Sequence, residues 1–135
     1  KGVAINDRLS HSIGLADADG AVHKFLKMNS PLEKGVERMI TTAVDDQRMA
    51  LFDIYEGERE DASALRHVTR IILKDIEPAE AGIAQFRVGM RVDRDGVLTV
   101  AVTDNDNPTN EVKREVHTGS GMTRAELEEL LAMNT

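Results

Sequence analysis

Some residues in this sequence are of types that bind metals or phosphate or carry out nucleophilic catalysis, but their spacing fits none of these roles. The histidines lie far apart, at His11, His23, His67 and His117. None has a cysteine or a second histidine at zinc-site spacing, so a surface or packing role is favoured. Gly119-Ser120-Gly121 lacks the Lys-Ser/Thr ending of a phosphate loop, and we interpret it as a flexible joint. No local Ser, His and Asp cluster suggests a nucleophile, although a triad built from distant segments stays open.

Two Asp-x-Asp-Gly segments resemble the start of a calcium-binding loop. They are Asp17–Gly20 and Asp93–Gly96. Neither has glycine at the sixth loop position, and Met28 stands where the first would need its bidentate glutamate. We therefore interpret both as tight turns in which glycine supplies the positive φ.

Composition excludes several classes of protein. The chain has 135 residues, enough for one domain with its own core. A net charge of −7 and an aromatic content of 3% argue against nucleic-acid binding. No apolar stretch approaches the roughly 20 residues that span a bilayer, so no membrane partner is expected. The absence of cysteine fits a reducing compartment, and we expect a cytoplasmic location. The abrupt start at Lys1 suggests a piece of a longer protein.

Period-two alternation of apolar and polar residues is the main structural signal. It is clearest where Phe86, Val88, Met90 and Val92 alternate with polar residues or glycine, and Asp93–Gly96 then predicts a hairpin into the run Leu98–Val102. Turn residues separate the other runs, at about 9–15, 21–27, 37–43, 49–56, 67–74 and 111–117. The sequence thus predicts a mainly β protein, an eight-stranded antiparallel β-sandwich.

The pattern changes after Gly121. Thr123 and Glu126 form a capping box, and Leu127, Leu130 and Leu131 follow helical spacing. The sandwich is therefore expected to be followed by the start of a C-terminal α-helix. Residue patterns alone stop there and predict no function.

The order of short motifs resembles the substrate-binding domain of DnaK-type chaperones, the heat shock protein 70 family. The motifs are Ser12-Ile13-Gly14, Asn29, Ile40-Thr41-Thr42, Asp45-Asp46-Gln47, Gly57-Glu58-Arg59, Ile76-Glu77-Pro78, Val92–Val100 and Ser120-Gly121-Met122. Each is weak alone, but together and in order they are specific. The resemblance implies that 1–8 end an interdomain linker, that 9–118 form a peptide-binding sandwich, and that 119–135 form a joint and the first lid helix.

The family clamps an extended peptide in a groove with one apolar pocket. By motif position, the resemblance implies that the pocket is lined by Leu15, Ile40, Ala50 and Phe52. It implies that Ala18 and Ala43 arch over the peptide, and that backbone contacts come from around Asp17, Thr41 and Gln47. Without the resemblance, Leu15, Ile40 and Phe52 would be interpreted as ordinary core.

The sequence departs from the family at several positions. Gly14-Leu15-Ala16-Asp17 replaces the usual Gly-Ile/Leu-Glu-Thr, and Glu80-Ala81-Gly82 replaces a Pro-Arg-Gly whose arginine helps the sandwich dock on the ATPase domain. Leu15 and Ala81-Gly82 are similar to the HscA-like branch, which serves iron–sulfur cluster assembly and recognises a Leu-Pro-Pro-Val-Lys segment of its scaffold protein.

The expected function is therefore a non-enzymatic peptide-binding module of an ATP-driven chaperone. Its expected partners are extended apolar peptides or unfolded client proteins, its own ATPase domain, a J-domain co-chaperone and, in the HscA-like case, an iron–sulfur scaffold protein. No cofactor is expected in this chain, because ATP and magnesium would bind the missing domain. Two rivals stay open: an enzyme that only shares the sandwich, and a structural or assembly sandwich with a closed groove.

Overall fold

A computed structural model describes residues 8–118 of the chain. The predicted linker (apart from residue 8), the Gly119–Gly121 joint and the helix from Thr123 lie outside these residues. Within them, eight β-strands follow one another, with a short 3-10 helix between the fourth and the fifth strand at Ala62–Ala64. The strands are β1 Ile13–Ala16, β2 Val22–Leu26, β3 Val36–Thr41, β4 Ala50–Glu56, β5 Arg66–Leu73, β6 Gln85–Val92, β7 Val97–Asp104 and β8 Asn107–His117.

The strands form two four-stranded antiparallel sheets, with the orders β2-β1-β4-β5 and β3-β6-β7-β8. Strand β2 lies beside β3 on one side of the molecule, and β5 lies beside β8 on the other. The predicted mainly β sandwich is confirmed. Strands β2 and β3 are both edge strands, so the side where they meet is not closed by continuous strand pairing.

Alternation along each strand places the core between the sheets. In β6 the side chains of Phe86, Val88, Met90 and Val92 are buried, while Arg87 and its polar neighbours face outward. The same parity buries alternate residues of β4 and β7. Burial of this apolar surface is the main term that stabilises the sandwich.

The predicted hairpin at Asp93–Gly96 joins β6 to β7. The Asp93 carboxylate accepts hydrogen bonds from the backbone N–H groups of Asp95 and Val97, at 2.9 and 3.0 Å. Gly96 has a φ of 80°, a conformation that glycine adopts without the steric cost of a Cβ atom. The same Asx arrangement recurs at Asp17, whose carboxylate accepts from Asp19 and Ala21. Both Asp-x-Asp-Gly segments are therefore turns.

Two predicted strand boundaries are wrong. Strand β8 begins at Asn107, four residues before the predicted 111, because the Asp104 carboxylate accepts the Asp106 N–H at 2.9 Å and closes a tight turn. Pro108 is tolerated in β8 because this strand lies at a sheet edge, where a missing N–H breaks no ladder. Strand β1 begins at Ile13 instead of residue 9, since Leu9 is bonded to the 29–30 loop.

Candidate functional site

A cavity of about 870 Å³ opens where β1 and β3 end and β4 begins. Its walls come from both sheets and from the loops that follow β1 and β3. All nine residues predicted for peptide binding line it: Leu15, Asp17, Ala18, Ile40, Thr41, Ala43, Gln47, Ala50 and Phe52. The structure brings these residues together, and their role in binding stays a prediction.

The floor of the cavity is also part of the hydrophobic core. Leu15, Ala50 and Phe52 are 5%, 4% and 3% exposed, and Ile40 packs against the core cluster to which they belong. The Phe52 ring meets Phe86 edge to face, with 5.7 Å between ring centroids. The core and the pocket interpretations of these residues are therefore compatible, because the same buried side chains also border open space.

The rim of the cavity exposes large apolar side chains. Met39, Val44, Met49 and Leu51 are 46–58% exposed, and all four line the cavity. Within residues 8–118, the other exposed large hydrophobic side chains are Met28, Ile72 and Ile83. Large apolar side chains that are exposed together mark a binding surface more often than those that are exposed singly.

The turn after β1 fixes one wall of the cavity. The Asp17 carboxylate lies 2.8 Å from His23 Nε2 and accepts the N–H groups of Asp19 and Ala21. The His23 hydrogen bond is the main reason that the pKa of Asp17 lies below its usual value. The Asp17 backbone is also engaged, since its N–H donates to the Ala21 carbonyl and its carbonyl accepts from Gly20. That carbonyl oxygen therefore keeps a second lone pair that can accept a further hydrogen bond.

The loop after β3 is fastened to the loop before β6. Thr42 donates its N–H to the Ala84 carbonyl, and its own carbonyl accepts from Gly82. The Ala81 N–H donates to the Asp45 carboxylate at 2.8 Å. The Glu80-Ala81-Gly82 segment therefore supports the loop that carries Ala43 and Gln47 through backbone atoms.

Polar side chains of β4 and of the loop before it are also held by hydrogen bonds. The Gln47 side-chain amide nitrogen donates to the Met49 carbonyl at 2.8 Å, which leaves its amide oxygen as an acceptor. The Asp53 carboxylate accepts two hydrogen bonds from the Arg70 guanidinium, at 2.8 and 3.0 Å, and lies 2.9 Å from His67 Nε2. The Arg70 hydrogen bonds hold the pKa of Asp53 below its usual value.

Sequence reasoning missed the remaining lining residues because it followed the family motif positions alone. They are Ala16, His23, Phe25, Arg38, Met39, Thr42, Val44, Met49, Leu51, Asp53 and Phe86. Parity could have found Phe86, because it begins the alternating run of β6 at the end nearest the loops. It could not have found Leu51 and Asp53, which lie on the opposite face of β4 from Ala50.

Comparison with known proteins decides the family. The model of the family described as Hsp70 protein matches residues 1–135. The chain belongs to the Hsp70 family. It is 29% identical over 132 residues to the chaperone protein DnaK of Stenotrophomonas maltophilia (strain R551-3). That match covers 98% of this chain and 20% of the relative, so the chain spans about a fifth of the relative's length. This Hsp70 family chain is thus a chaperone homologue, and the comparisons give no support to the HscA-like branch.

Residues 8–118 contain no helix that is long and apolar enough to cross a membrane. The same residues hold no group of three or more metal-ligating side chains.

Proposed function

We propose that this sandwich binds extended apolar peptide segments of unfolded or client proteins in the cavity between β1, β3 and β4. One observation carries the proposal: an open cavity of about 870 Å³ has a buried apolar floor and an exposed apolar rim. In a member of a chaperone family, that surface has an obvious class of ligand, because unfolded chains expose the same apolar side chains.

The geometry supports separate roles in binding for the cavity floor and for strand β3. The floor at Leu15, Ala50 and Phe52 accepts one apolar side chain of the client, and its burial there stabilises the complex. Strand β3 is a sheet edge, so its outward N–H and C=O groups are available to the client backbone. Backbone bonding tolerates many sequences, and the floor adds the preference for an apolar residue.

A peptide titration tests this function. Fluorescence anisotropy would follow labelled extended peptides that differ only in a central Leu or Asp. Burial of one Leu side chain contributes about 1.5–3 kcal/mol, so we expect about tenfold to hundredfold tighter binding of the Leu peptide. Equal affinities, or no binding of either peptide, would contradict the proposal and favour a structural sandwich.

We further propose that the chain itself neither binds nor hydrolyses ATP and acts beside an ATPase domain with a J-domain co-chaperone. Support comes from the family and from the span of the match, which leaves four fifths of the relative's length outside this chain. Calorimetry with ATP and magnesium is expected to give no saturable heat. Saturable binding in the micromolar range would contradict this.

An iron–sulfur scaffold client is the narrower proposal, and it rests on Leu15 and Ala81-Gly82 alone. If it holds, a Leu-Pro-Pro-Val-Lys peptide binds at least about threefold more tightly than generic Leu-rich peptides, a difference of about 0.65 kcal/mol. A smaller ratio leaves a general chaperone module as the function.

A further inference from the structure

Arg38 differs from the other charged side chains that line the cavity. Asp17 is bonded to His23, and Asp53 is bonded to Arg70 and His67. No side-chain hydrogen bond or ion pair joins Arg38 to any residue between 8 and 118. The cavity therefore presents acidic groups that already have partners and one cation that has no anionic partner within those residues.

The aromatic ring below Arg38 fixes where that cation lies. Its guanidinium carbon is 4.8 Å from the centroid of the Phe25 ring, a cation–π contact across the open side where β2 meets β3. This contact engages the ring and no hydrogen-bond acceptor, and no hydrogen bond joins the guanidinium to any residue between 8 and 118. Its N–H donors can therefore bind a carboxylate, which they match in a two-pronged geometry.

The position of Arg38 along β3 relates it to the cavity floor. Arg38 and Ile40 are two residues apart, so both side chains leave the same face of the strand. An extended peptide beside this edge has the same repeat of about 6.5–7 Å per two residues. A client side chain that lies two residues from the one on the floor would therefore come beside Arg38.

We propose that Arg38 selects clients that carry Asp or Glu two residues from the apolar residue bound on the cavity floor. This inference rests on the proposed peptide-binding function. The net charge of −7 opposes acidic peptides in general, so the selection acts through one local contact and not through the overall field of the protein.

Three peptides and four proteins test the inference. The peptides share a central Leu and carry Gln at both flanking positions, Glu two residues before the Leu, or Glu two residues after it. The proteins are the wild type, Arg38→Gln, Arg38→Lys and Arg87→Gln. Arg87 pairs with Glu37 on the outer face and lies outside the cavity lining, so Arg87→Gln matches the charge change of Arg38→Gln.

We expect the wild type to bind one of the two Glu peptides about three- to tenfold more tightly than the Gln peptide, as partly exposed bidentate pairs contribute effects of that order. Arg38→Gln brings this ratio to about one, Arg38→Lys leaves part of it, and Arg87→Gln keeps it. Circular dichroism checks that each variant is folded. If Arg38→Gln does not fold, Arg38→Lys still tests the inference.

Two results would overturn the inference alone: the Gln peptide binds but neither Glu peptide is preferred, or the preference survives undiminished in Arg38→Gln or, if that variant does not fold, in Arg38→Lys. Failure of the Gln peptide to bind the wild type would instead overturn the proposed function, and this inference with it.

Discussion

The two ends of strand β4 have the same pattern but different surroundings. Ala50 and Phe52 at one end, and Ile54 at the other, all point between the sheets and are at most 4% exposed. Beside Ala50 and Phe52 lies the open cavity, whereas Ile54 is enclosed by packed side chains and does not line it. Alternation therefore fixes which face is buried, but not whether the space in front of that face is filled.

The polar groups near the two ends of β4 also differ in their surroundings. Near the filled end, Ser12 donates its N–H and its hydroxyl to the two oxygens of Glu58, at 2.9 and 2.7 Å. The Ser12 hydroxyl oxygen also accepts the Met28 N–H, and the Ser12 carbonyl accepts the Gly57 N–H. The protein satisfies these groups internally. At the cavity end, apolar side chains stay exposed on the rim, so that end has surface available for a ligand.

The largest expected effect is at the filled end. Ile54→Ala leaves a void among fully buried side chains, so we expect the free energy of unfolding to fall by about 2–5 kcal/mol. Urea denaturation followed by circular dichroism measures it. Leu51→Ala is the matched control on the same strand, because Leu51 is 49% exposed and its loss costs little stability. Similar losses in both variants would remove the contrast.

The next effect comes from the Ser12–Glu58 contact. Glu58→Ala leaves the buried Ser12 N–H without its acceptor, so we expect a loss of about 1–3 kcal/mol in the free energy of unfolding. Thermal unfolding of this variant and of Glu60→Ala, which removes an exposed neighbouring carboxylate, provides the comparison. If Glu58→Ala unfolds at the same temperature as Glu60→Ala, the contact contributes nothing to stability.

A smaller effect is expected from pH at the cavity wall. The pKa of Asp53 is lower in the folded protein than its usual 3.8, because Arg70 and His67 bond to the ionised form. Its contribution is therefore present above pH 3.8 and is lost as the pH falls from there through the lower folded value. We expect about 1 kcal/mol or less for a partly exposed pair. Unfolding curves of Asp53→Asn should show a shallower loss of stability below pH 4 than the wild type, and parallel curves would contradict this.

Much of the fold could be predicted from the sequence, because strand parity and turn chemistry are local. Phe86–Val92, Asp93–Gly96 and Leu98–Val102 specify a hairpin without reference to the rest of the chain. The start of β8 could not be predicted, since Asn107 and Pro108 have turn composition and only the edge position makes a strand acceptable there.

The nine predicted cavity residues were identified from the family resemblance and not from strand parity. The sequence of β4 gives Ala50, Phe52 and Ile54 the same status, and only the packing of β1, β3 and the 42–48 loop separates them. Arg38 has no local signal at all, because an arginine on an edge strand is ordinary until the Phe25 ring is found beneath it.

The most direct test of the account uses two alanines that are equally buried. Ala50 and Ala84 are both 4% exposed, but only Ala50 lines the cavity. In Ala50→Phe the new ring occupies open space, whereas in Ala84→Phe it must displace packed atoms, which typically costs about 1–3 kcal/mol.

The measurement is a titration of the labelled Leu-centred peptide against wild type and Ala50→Phe, with unfolding curves of both variants. We predict that Ala50→Phe loses peptide binding and keeps a melting temperature close to that of the wild type, while Ala84→Phe melts lower. Unchanged peptide affinity in Ala50→Phe, or a fall in its melting temperature as large as that of Ala84→Phe, would contradict the assignment of this cavity as the peptide site.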